Sequence, residues 1–329
     1  MKNISIKNFV KQKNKNKKIF TAGPASLLKE NLTGLRPCFG RGDLDYENVE
    51  NFVLNKLKKM SKHRFIARMQ GSGSLALEIV ASNFFFGKVL IIDTGYYSDR
   101  LLLLANNAKK NFKKIKLVKK INWKEIGKLD TEKYDWVWAC PTETSLGLKL
   151  PISKLKKLSS KLNSKLALDA TASFGLEDGH QLADVISYSS CKGLFGLTGA
   201  SFVAFNKMSK FSISSFYLNI NNHLEKKMTG PYHAICSLYE VLKKHNQIKK
   251  SVINNKKIFL KKMQKWIEFS MENQPLLCTY VKKKINSNKK SVILYKPRNQ
   301  VKGSVVCHLG EVHLGNKAKG NILKSINVK

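Results

Sequence analysis

The chain has 329 residues, 43% of them hydrophobic, and its 60 Lys and Arg residues against 22 Asp and Glu residues give a formal net charge of +38. A chain of this length and hydrophobic content can bury a large core, commonly as one large domain with a smaller appendage. Because it holds no apolar run near the roughly 18 residues that span a bilayer and no CxxC pair, we expect a cytoplasmic protein with reduced thiols, no structural metal and no membrane segment.

Residues 1–18 are polar and rich in Lys. This composition buries too little apolar surface to offset the entropy of ordering, so we predict a flexible basic arm. From Phe20 onward, short apolar runs alternate with segments of helical period, which is typical of βαβ units around a mostly parallel sheet. The predicted strands are 89–92, 136–139, 166–168, 185–188 and 202–205. The predicted crossover helices are 74–86, 100–109 and 152–162.

The pattern changes after Gly230-Pro231. A predicted helix at 233–244 is followed by a Lys-rich amphipathic segment to about residue 271, and then by short strand-like pieces at 278–281, 292–295 and 304–308. The sequence therefore predicts an α/β protein with a large domain over 19–240 and a smaller C-terminal α+β domain over 241–329.

Two chemically active side chains follow neighbouring predicted strands. Asp169 comes directly after the strand 166–168, and Lys192 comes shortly after the strand 185–188. In open α/β sheets, ligands bind beyond the carboxyl ends of the strands, so an acid and an amine are predicted at one edge. A desolvated Lys can attack a carbonyl, and a carboxylate can pair with a pyridinium nitrogen.

Other loops supply complementary groups. The turn Gly71-Ser72-Gly73-Ser74 precedes a helical run, where backbone amides bind phosphate well. The loop 94–97 offers the aromatic rings of Tyr96 and Tyr97, and the loop 141–147 offers hydroxyls and a carboxylate. Taken alone, each signal has a plain structural alternative: the turn could be an ordinary N-cap, and Lys192 a surface lysine. Their order and their common placement at element ends favour a functional site.

These pieces also resemble a known family. The motifs, in chain order, are Thr21-Ala22-Gly23-Pro24-Ala25, Gly71-Ser72-Gly73-Ser74-Leu75-Ala76-Leu77-Glu78, Gly95-Tyr96-Tyr97-Ser98-Asp99-Arg100, Glu143-Thr144-Ser145-Leu146-Gly147, Asp169-Ala170-Thr171-Ala172-Ser173-Phe174-Gly175 and Ser190-Cys191-Lys192-Gly193-Leu194. Over roughly residues 19–240 the chain resembles the class V aminotransferases, a branch of the fold-type I enzymes that depend on pyridoxal 5'-phosphate (PLP). Within that branch it resembles the 2-aminoethylphosphonate:pyruvate and the serine or alanine:glyoxylate transaminases.

The resemblance implies a fold-type I PLP-dependent transferase and a role for each motif. It implies a cofactor site made of Ser72, Gly73 and Ser74 at the phosphate, Tyr97 stacked on the ring, Thr144 near the ring hydroxyl, Asp169 at the ring nitrogen, and Thr171 and Cys191 beside them. Lys192 would carry the cofactor as a Schiff base and move the proton in transamination. The family forms homodimers, and Thr229 matches the stretch that reaches the phosphate in the other subunit.

The chain departs from the family in three places. The residue before the Schiff-base lysine is often Gln or Asn in relatives and is Cys191 here. Relatives clamp the substrate carboxylate with an Arg near the C-terminus, and the best local match is His308-Leu309-Gly310, so the bidentate fork is missing. The candidates for binding the acidic group of the substrate are therefore His308 itself, Arg41 and Arg298. The C-terminal unit is also short for the family.

The leading interpretation is an aminotransferase that moves an amino group from a small amino compound, such as 2-aminoethylphosphonate, alanine or serine, to a 2-oxo acid such as pyruvate or glyoxylate. The first alternative is a PLP-dependent lyase, decarboxylase or cysteine desulfurase, for which Cys307 is the candidate cysteine. The second is a non-catalytic PLP-fold protein that binds polyanions. The charge is mostly Lys spread along the whole chain, as a biased genome composition produces, so we expect no nucleic-acid partner.

Overall fold

The computed structural model describes residues 5–25, 27–129, 132–313 and 322–328. Its helices are α1 (Ile6–Lys15), α2 (Lys29–Thr33), α3 (Leu44–Ser61), α4 (Gly73–Phe84), α5 (Tyr96–Phe112), α6 (Ile152–Lys161), α7 (Ile220–Leu224), α8 (Tyr232–Lys243), α9 (His245–Met263) and α10 (Leu309–Val312). Its strands are β1 (Lys18–Phe20), β2 (Phe65–Gln70), β3 (Gly87–Asp93), β4 (Ile115–Asn122), β5 (Trp136–Ala139), β6 (Thr142–Glu143), β7 (Leu148–Lys149), β8 (Lys165–Asp169), β9 (Val185–Ser189), β10 (Ala200–Phe205), β11 (Cys278–Val281), β12 (Ile285–Asn286), β13 (Val292–Leu294), β14 (Ser304–Cys307) and β15 (Asn327–Val328).

Among the described residues, the main sheet has seven strands in the order β2-β10-β9-β8-β5-β3-β4. The strands from β9 to β4 pair in parallel, while β10 is antiparallel to both β9 and β2. Parallel pairs need crossover connections, and the helices between these strands supply them. The predicted α/β fold with a mostly parallel sheet is confirmed.

The core lies on both faces of this sheet because successive side chains of a strand point to opposite sides. Leu90 and Ile92 of β3 join the cluster formed with α3, α6 and α8, whereas Val89 and Ile91 join the cluster formed with α4, α5 and α7. Each of these four side chains is fully buried. With both faces covered, the ends of the strands are the part of the sheet that remains open to a ligand.

The predicted strands of the large domain all appear, with bounds that differ by at most two residues. One helix begins earlier than predicted. The pattern predicted a helix from residue 100 after a loop at 94–97, but α5 begins at Tyr96, with Gly95 as its N-cap. Gly95 has a φ of +136°, a conformation that glycine adopts without steric cost, and this lets the chain turn directly from β3 into the helix.

The predicted basic arm contains the helix α1. Val10 and Asn14, four residues apart on one face, are buried, and Asn14 Nδ2 donates to the carbonyl oxygen of Leu27 at 2.8 Å. These contacts order residues that composition alone left without a core. Residues 1–4 of that arm lie outside the described residues.

The C-terminal unit contains the predicted helix and short strands. β11 pairs with β14 antiparallel, and β1, from the opposite end of the chain, pairs with β13 in parallel. The boundary near residue 240 stays a prediction, and residues 314–321 and 329 of the predicted small domain lie outside the described residues. In the described part of the chain, no helix has the length and apolar character needed to cross a membrane.

Candidate active site

A cavity of about 480 Å³ lies at the carboxyl ends of β2, β5, β8 and β9. The predicted site residues that line it are Ser72, Gly73, Ser74, Tyr97, Thr144, Asp169, Thr171, Cys191, Lys192 and Arg298. The sheet therefore brings together residues that are far apart in the sequence, as its topology predicts.

Lys192 reaches the cavity from the turn that follows β9, and the segment around Gly23 packs against it. A Cβ atom placed on Gly23 would lie 2.5 Å from the carbonyl oxygen of Cys191 and 3.0 Å from Lys192 Cγ. The φ of Gly23 is +110°, which side-chain-bearing residues rarely adopt. Only glycine therefore allows this segment to lie against the stem of the lysine and limit its movement.

Asp169 is the last residue of β8, and its side chain is buried, with 3% of the residue exposed. Its Oδ1 accepts a hydrogen bond from the backbone N–H of Thr171 at 3.0 Å. Burial raises the pKa of the Asp169 carboxyl above its usual range, while Thr171 and the charges of Arg100 and Lys192 oppose that shift. A cationic group bound in the cavity would therefore stabilise the ionised carboxylate.

The start of α4 lines the cavity with Ser72, Gly73 and Ser74. Ser72 is the N-cap, and the helix begins at Gly73, so the amides of this turn point out of the helix end. The Nη1 atom of Arg100 donates to Ser74 Oγ at 3.2 Å, which places a guanidinium beside the same turn. Arg100 belongs to one of the sequence motifs, but no role was predicted for it. Its spacing could have indicated one, because Arg100 lies one helical turn after Tyr96 and Tyr97 and therefore on the same face of α5.

The aromatic wall is made by the first turn of α5. The rings of Tyr96 and Tyr97 are 5.4 Å apart and nearly perpendicular. The guanidinium carbon of Arg100 lies 5.1 Å from the centroid of the Tyr97 ring, and that of Arg298 lies 5.7 Å from the Tyr96 ring. Thr144 Oγ1 is 3.4 Å from the hydroxyl of Tyr295, a residue that sequence reasoning missed. The wall therefore combines aromatic faces with two guanidinium groups.

Three predicted residues do not line the cavity. His308 is a correction: it is fully buried, 2.9 Å from Thr279 Oγ1 through Nε2, and burial lowers its pKa. A neutral imidazole enclosed by the C-terminal unit cannot bind a substrate acid group in the cavity. Arg41 is exposed on the loop before α3, where its guanidinium carbon lies 5.9 Å from the Phe39 ring, and Thr229 is exposed before α8.

Cys307, the candidate desulfurase cysteine, is also enclosed. It lies opposite Cys278 in the β11–β14 ladder, and its exposed fraction is 0%. Burial raises the pKa of the Cys307 thiol well above its usual range. Since the thiolate is the reactive form, the structure does not favour Cys307 as a mobile nucleophile.

The sequence is similar to curated phosphonate transaminases. It is 25% identical over 252 residues to a bifunctional phosphonoacetaldehyde hydrolase/aminoethylphosphonate transaminase of Clostridioides difficile, a match that covers 68% of this chain and 39% of that protein. It is 23% identical over 256 residues to a 2-aminoethylphosphonate–pyruvate transaminase of Pseudomonas aeruginosa, which covers 70% of this chain and 68% of the relative. No family model matches the chain.

The fold is similar to that of solved aminotransferases. An alanine–glyoxylate aminotransferase from Nostoc sp. superposes with a TM-score of 0.75 at 17% sequence identity, and the match covers 93% of this chain and 95% of that one. The similarity in sequence and the similarity in fold point to the same group. They confirm the resemblance to the class V aminotransferases and the fold-type I architecture, whose cofactor is PLP.

A buried polar group in the cavity bears on its fit to PLP. Thr142 Oγ1 lines the cavity, is buried, and has no hydrogen-bond partner among the described residues. A buried hydroxyl without a partner costs free energy, so a polar group bound there is the expected partner. The α4 amides suit a phosphate, Asp169 suits a ring nitrogen and Lys192 suits an aldehyde. With the Thr142 hydroxyl as a further polar contact, the lining of the cavity fits PLP.

Proposed function

We propose that this chain is a PLP-dependent aminotransferase that moves an amino group from a small amino compound to a 2-oxo acid such as pyruvate or glyoxylate. The observation that carries the proposal is the convergence of Lys192, Asp169 and the first turn of α4 on one cavity. The names of the sequence relatives and of the structural neighbour support the same reaction type.

Lys192 and Asp169 have different proposed roles in the reaction. Bound PLP supplies an aldehyde for the substrate amine and a ring that withdraws electrons from the substrate carbon. Lys192 Nζ would take the proton from that carbon and deliver it to the carbon of the cofactor that came from its aldehyde. Asp169, which is buried in the cavity wall, would hold a positive charge at the ring nitrogen, because an ionised carboxylate in this environment requires a cationic partner.

The remaining cofactor contacts are proposed from the lining of the cavity. Ser72, Gly73 and Ser74 would hold the phosphate at the α4 terminus, with Arg100 beside them. Tyr97 would stack on the ring. Further lining residues proposed for the cofactor are Thr144, Thr171 and Cys191.

We also propose a homodimer. Thr229 is exposed and does not line the cavity of its own chain, so it can serve a cofactor only in a second copy. Phe39 and Leu44, which flank Arg41, are 55% and 73% exposed and supply apolar surface for such a contact.

Arg298 is the residue proposed to bind the acidic group of the substrate. It is exposed, it lines the cavity, and its guanidinium lies near the Tyr96 ring. The planar fork of Arg suits carboxylate and phosphonate oxygens. The proposed donors are therefore 2-aminoethylphosphonate, alanine and serine, each of which carries one acidic group.

The test begins with the cofactor and then separates the reactions. The purified protein with PLP should gain a visible absorption band, and borohydride reduction should fix the cofactor covalently on the peptide that contains Lys192, as measured by mass spectrometry. The K192A variant should lack the fixed mass, and K207A, which changes an exposed lysine outside the cavity, should keep it.

An aminotransferase should then convert the bound cofactor stably to its pyridoxamine form when an amino donor is added, and release the matching oxo compound. Product formed while the cofactor stays in its aldehyde form would show the lyase alternative. Protein that never binds PLP would overturn the proposal and leave the binding-protein alternative.

A further inference from the structure

Helix α5 begins without a side-chain cap of its own. Its N-cap is Gly95, which has no side chain, and the Ser98 hydroxyl accepts hydrogen bonds from the amides of Thr94 and Gly95, before the helix. The amide of Tyr97, in the first turn, donates instead to Glu143 Oε2 at 2.9 Å. The first amides of a helix need such partners. Thus β6 supplies the cap for a helix that lies far away in the sequence.

The Glu143 carboxylate is held in one position. Its exposed fraction is 0%, and its Oε1 accepts from the backbone N–H of Ser145 at 3.0 Å and from Ser145 Oγ at 2.6 Å. A Cβ atom on Gly95 would lie 3.1 Å from Glu143 Cγ, so the absence of a side chain there allows the close approach. Glu143 is outside the lining of the cavity, whereas the ring of Tyr97 lines it.

We propose that Glu143 is a positioning residue that fixes the angle of the Tyr97 ring over the cofactor by capping α5 from β6. This inference rests on the proposed stacking of Tyr97 on PLP. The carboxylate sits at the positive end of the helix dipole, which favours its ionised form. Burial acts in the opposite direction and, with the nearby charge of Asp169, raises the pKa of Glu143 to about 7. Cys140 also faces this carboxylate.

The test measures cofactor affinity by equilibrium dialysis and the orientation of the bound cofactor by visible circular dichroism. E143M keeps the size of the side chain and removes the acceptor, and we expect PLP binding about tenfold weaker with a reduced dichroic band. E143Q has a single carbonyl oxygen, which can accept from the Tyr97 amide only if its NH2 group faces the Ser145 amide, so its affinity should lie between those of E143M and the unchanged protein.

S145A is the matched control. It removes a hydroxyl bound to the same carboxylate but leaves the bond to the Tyr97 amide, so affinity should stay within about threefold of the unchanged protein. A tenfold loss in S145A would overturn the inference, because the Tyr97 contact is retained in that variant. S145A, and the Y97L variant described next, can each overturn the inference even where E143M does not fold.

A double-mutant cycle with Y97L identifies the route of the effect. Y97L should itself weaken PLP binding, and adding E143M to Y97L should cause no further loss. Additive losses would show that Glu143 does not act through the ring and would overturn the inference while leaving the stacking proposal intact. Unchanged affinity in Y97L would overturn both, yet leave the Lys192 and Asp169 chemistry to its own borohydride test.

Discussion

The two sides of the cavity are built differently. The cofactor side is made of Asp169, the turn with Lys192 and the first turn of α4, all attached to ends of strands in the central sheet. The proposed substrate side is Arg298, an exposed residue between β13 and β14. In the proposed site, therefore, the residues assigned to the reaction chemistry are attached to the central sheet, whereas the residue assigned to substrate choice is a single accessible side chain outside it.

The largest effect is expected on the cofactor side. D169N keeps the size of the side chain but removes the charge proposed to pair with the ring nitrogen, so kcat should fall by about 100-fold or more. Stopped-flow measurement of the half-reaction checks this. An unchanged kcat would show that the buried carboxylate has no part in the chemistry. The cofactor side of the cavity would then not differ from the substrate side in the way proposed.

The same variant should not weaken the fold. Burial raises the pKa of Asp169 from the usual 3.8, so ionisation at neutral pH costs the folded apoprotein free energy. Stability from this group is fully present below the ordinary Asp pKa and is lost as the pH rises above it. In cofactor-free protein, D169N should therefore be at least as stable as the unchanged chain at pH 7, and the difference should vanish below the ordinary Asp pKa of 3.8, as measured by urea unfolding.

The next effect concerns the contact between Gly23 and Lys192. G23A places a methyl group 2.5 Å from the Cys191 carbonyl oxygen, and we expect a loss of about 2 kcal/mol in the free energy of unfolding. G42A is the matched control, since Gly42 also has a positive φ (+77°) but no atom within 4 Å of the added carbon. Equal losses in the two variants would mean that backbone strain alone is responsible and that the lysine is not held by this contact.

The smallest effect is expected on the substrate side. R298A should raise the KM for the acidic substrate about tenfold, through loss of one charged hydrogen-bonding group, and leave PLP affinity unchanged. K296A, which changes an exposed neighbour outside the cavity, is the control. A fall in kcat without a change in KM would place Arg298 with the chemistry and would break the comparison.

Sequence patterns predicted the five inner strands of the main sheet because these strands are short, buried apolar runs with clear turns after them, whereas its edge strands β2 and β4 were not predicted. β5 and β11 have the predicted bounds, residues 136–139 and 278–281. The loops that follow β8 and β9 were found for the same reason, since ligands gather at the carboxyl edge of such a sheet. Ten of the predicted site residues line one cavity, and their roles stay predictions.

The rest depended on contacts between distant elements. His308 directly follows β14, and its imidazole is enclosed by Thr279 and by Glu311 of α10. The residues next to His308 in the sequence do not indicate these contacts. The cap that Glu143 provides for α5 is equally invisible, because capping is normally read from the residue just before a helix. The helix α1 was missed because its order depends on Asn14 reaching Leu27.

The pairing of β1 with β13 has a consequence for the order in which the molecule assembles. Its two strands come from opposite ends of the sequence, so this ladder has a very long loop to close and belongs to the slow class of contacts. The central sheet, whose neighbouring strands are nearer in sequence, can form first on a growing chain. The segment with Gly23 directly follows β1, so we expect its contact with Lys192 to form after the central sheet has placed that lysine.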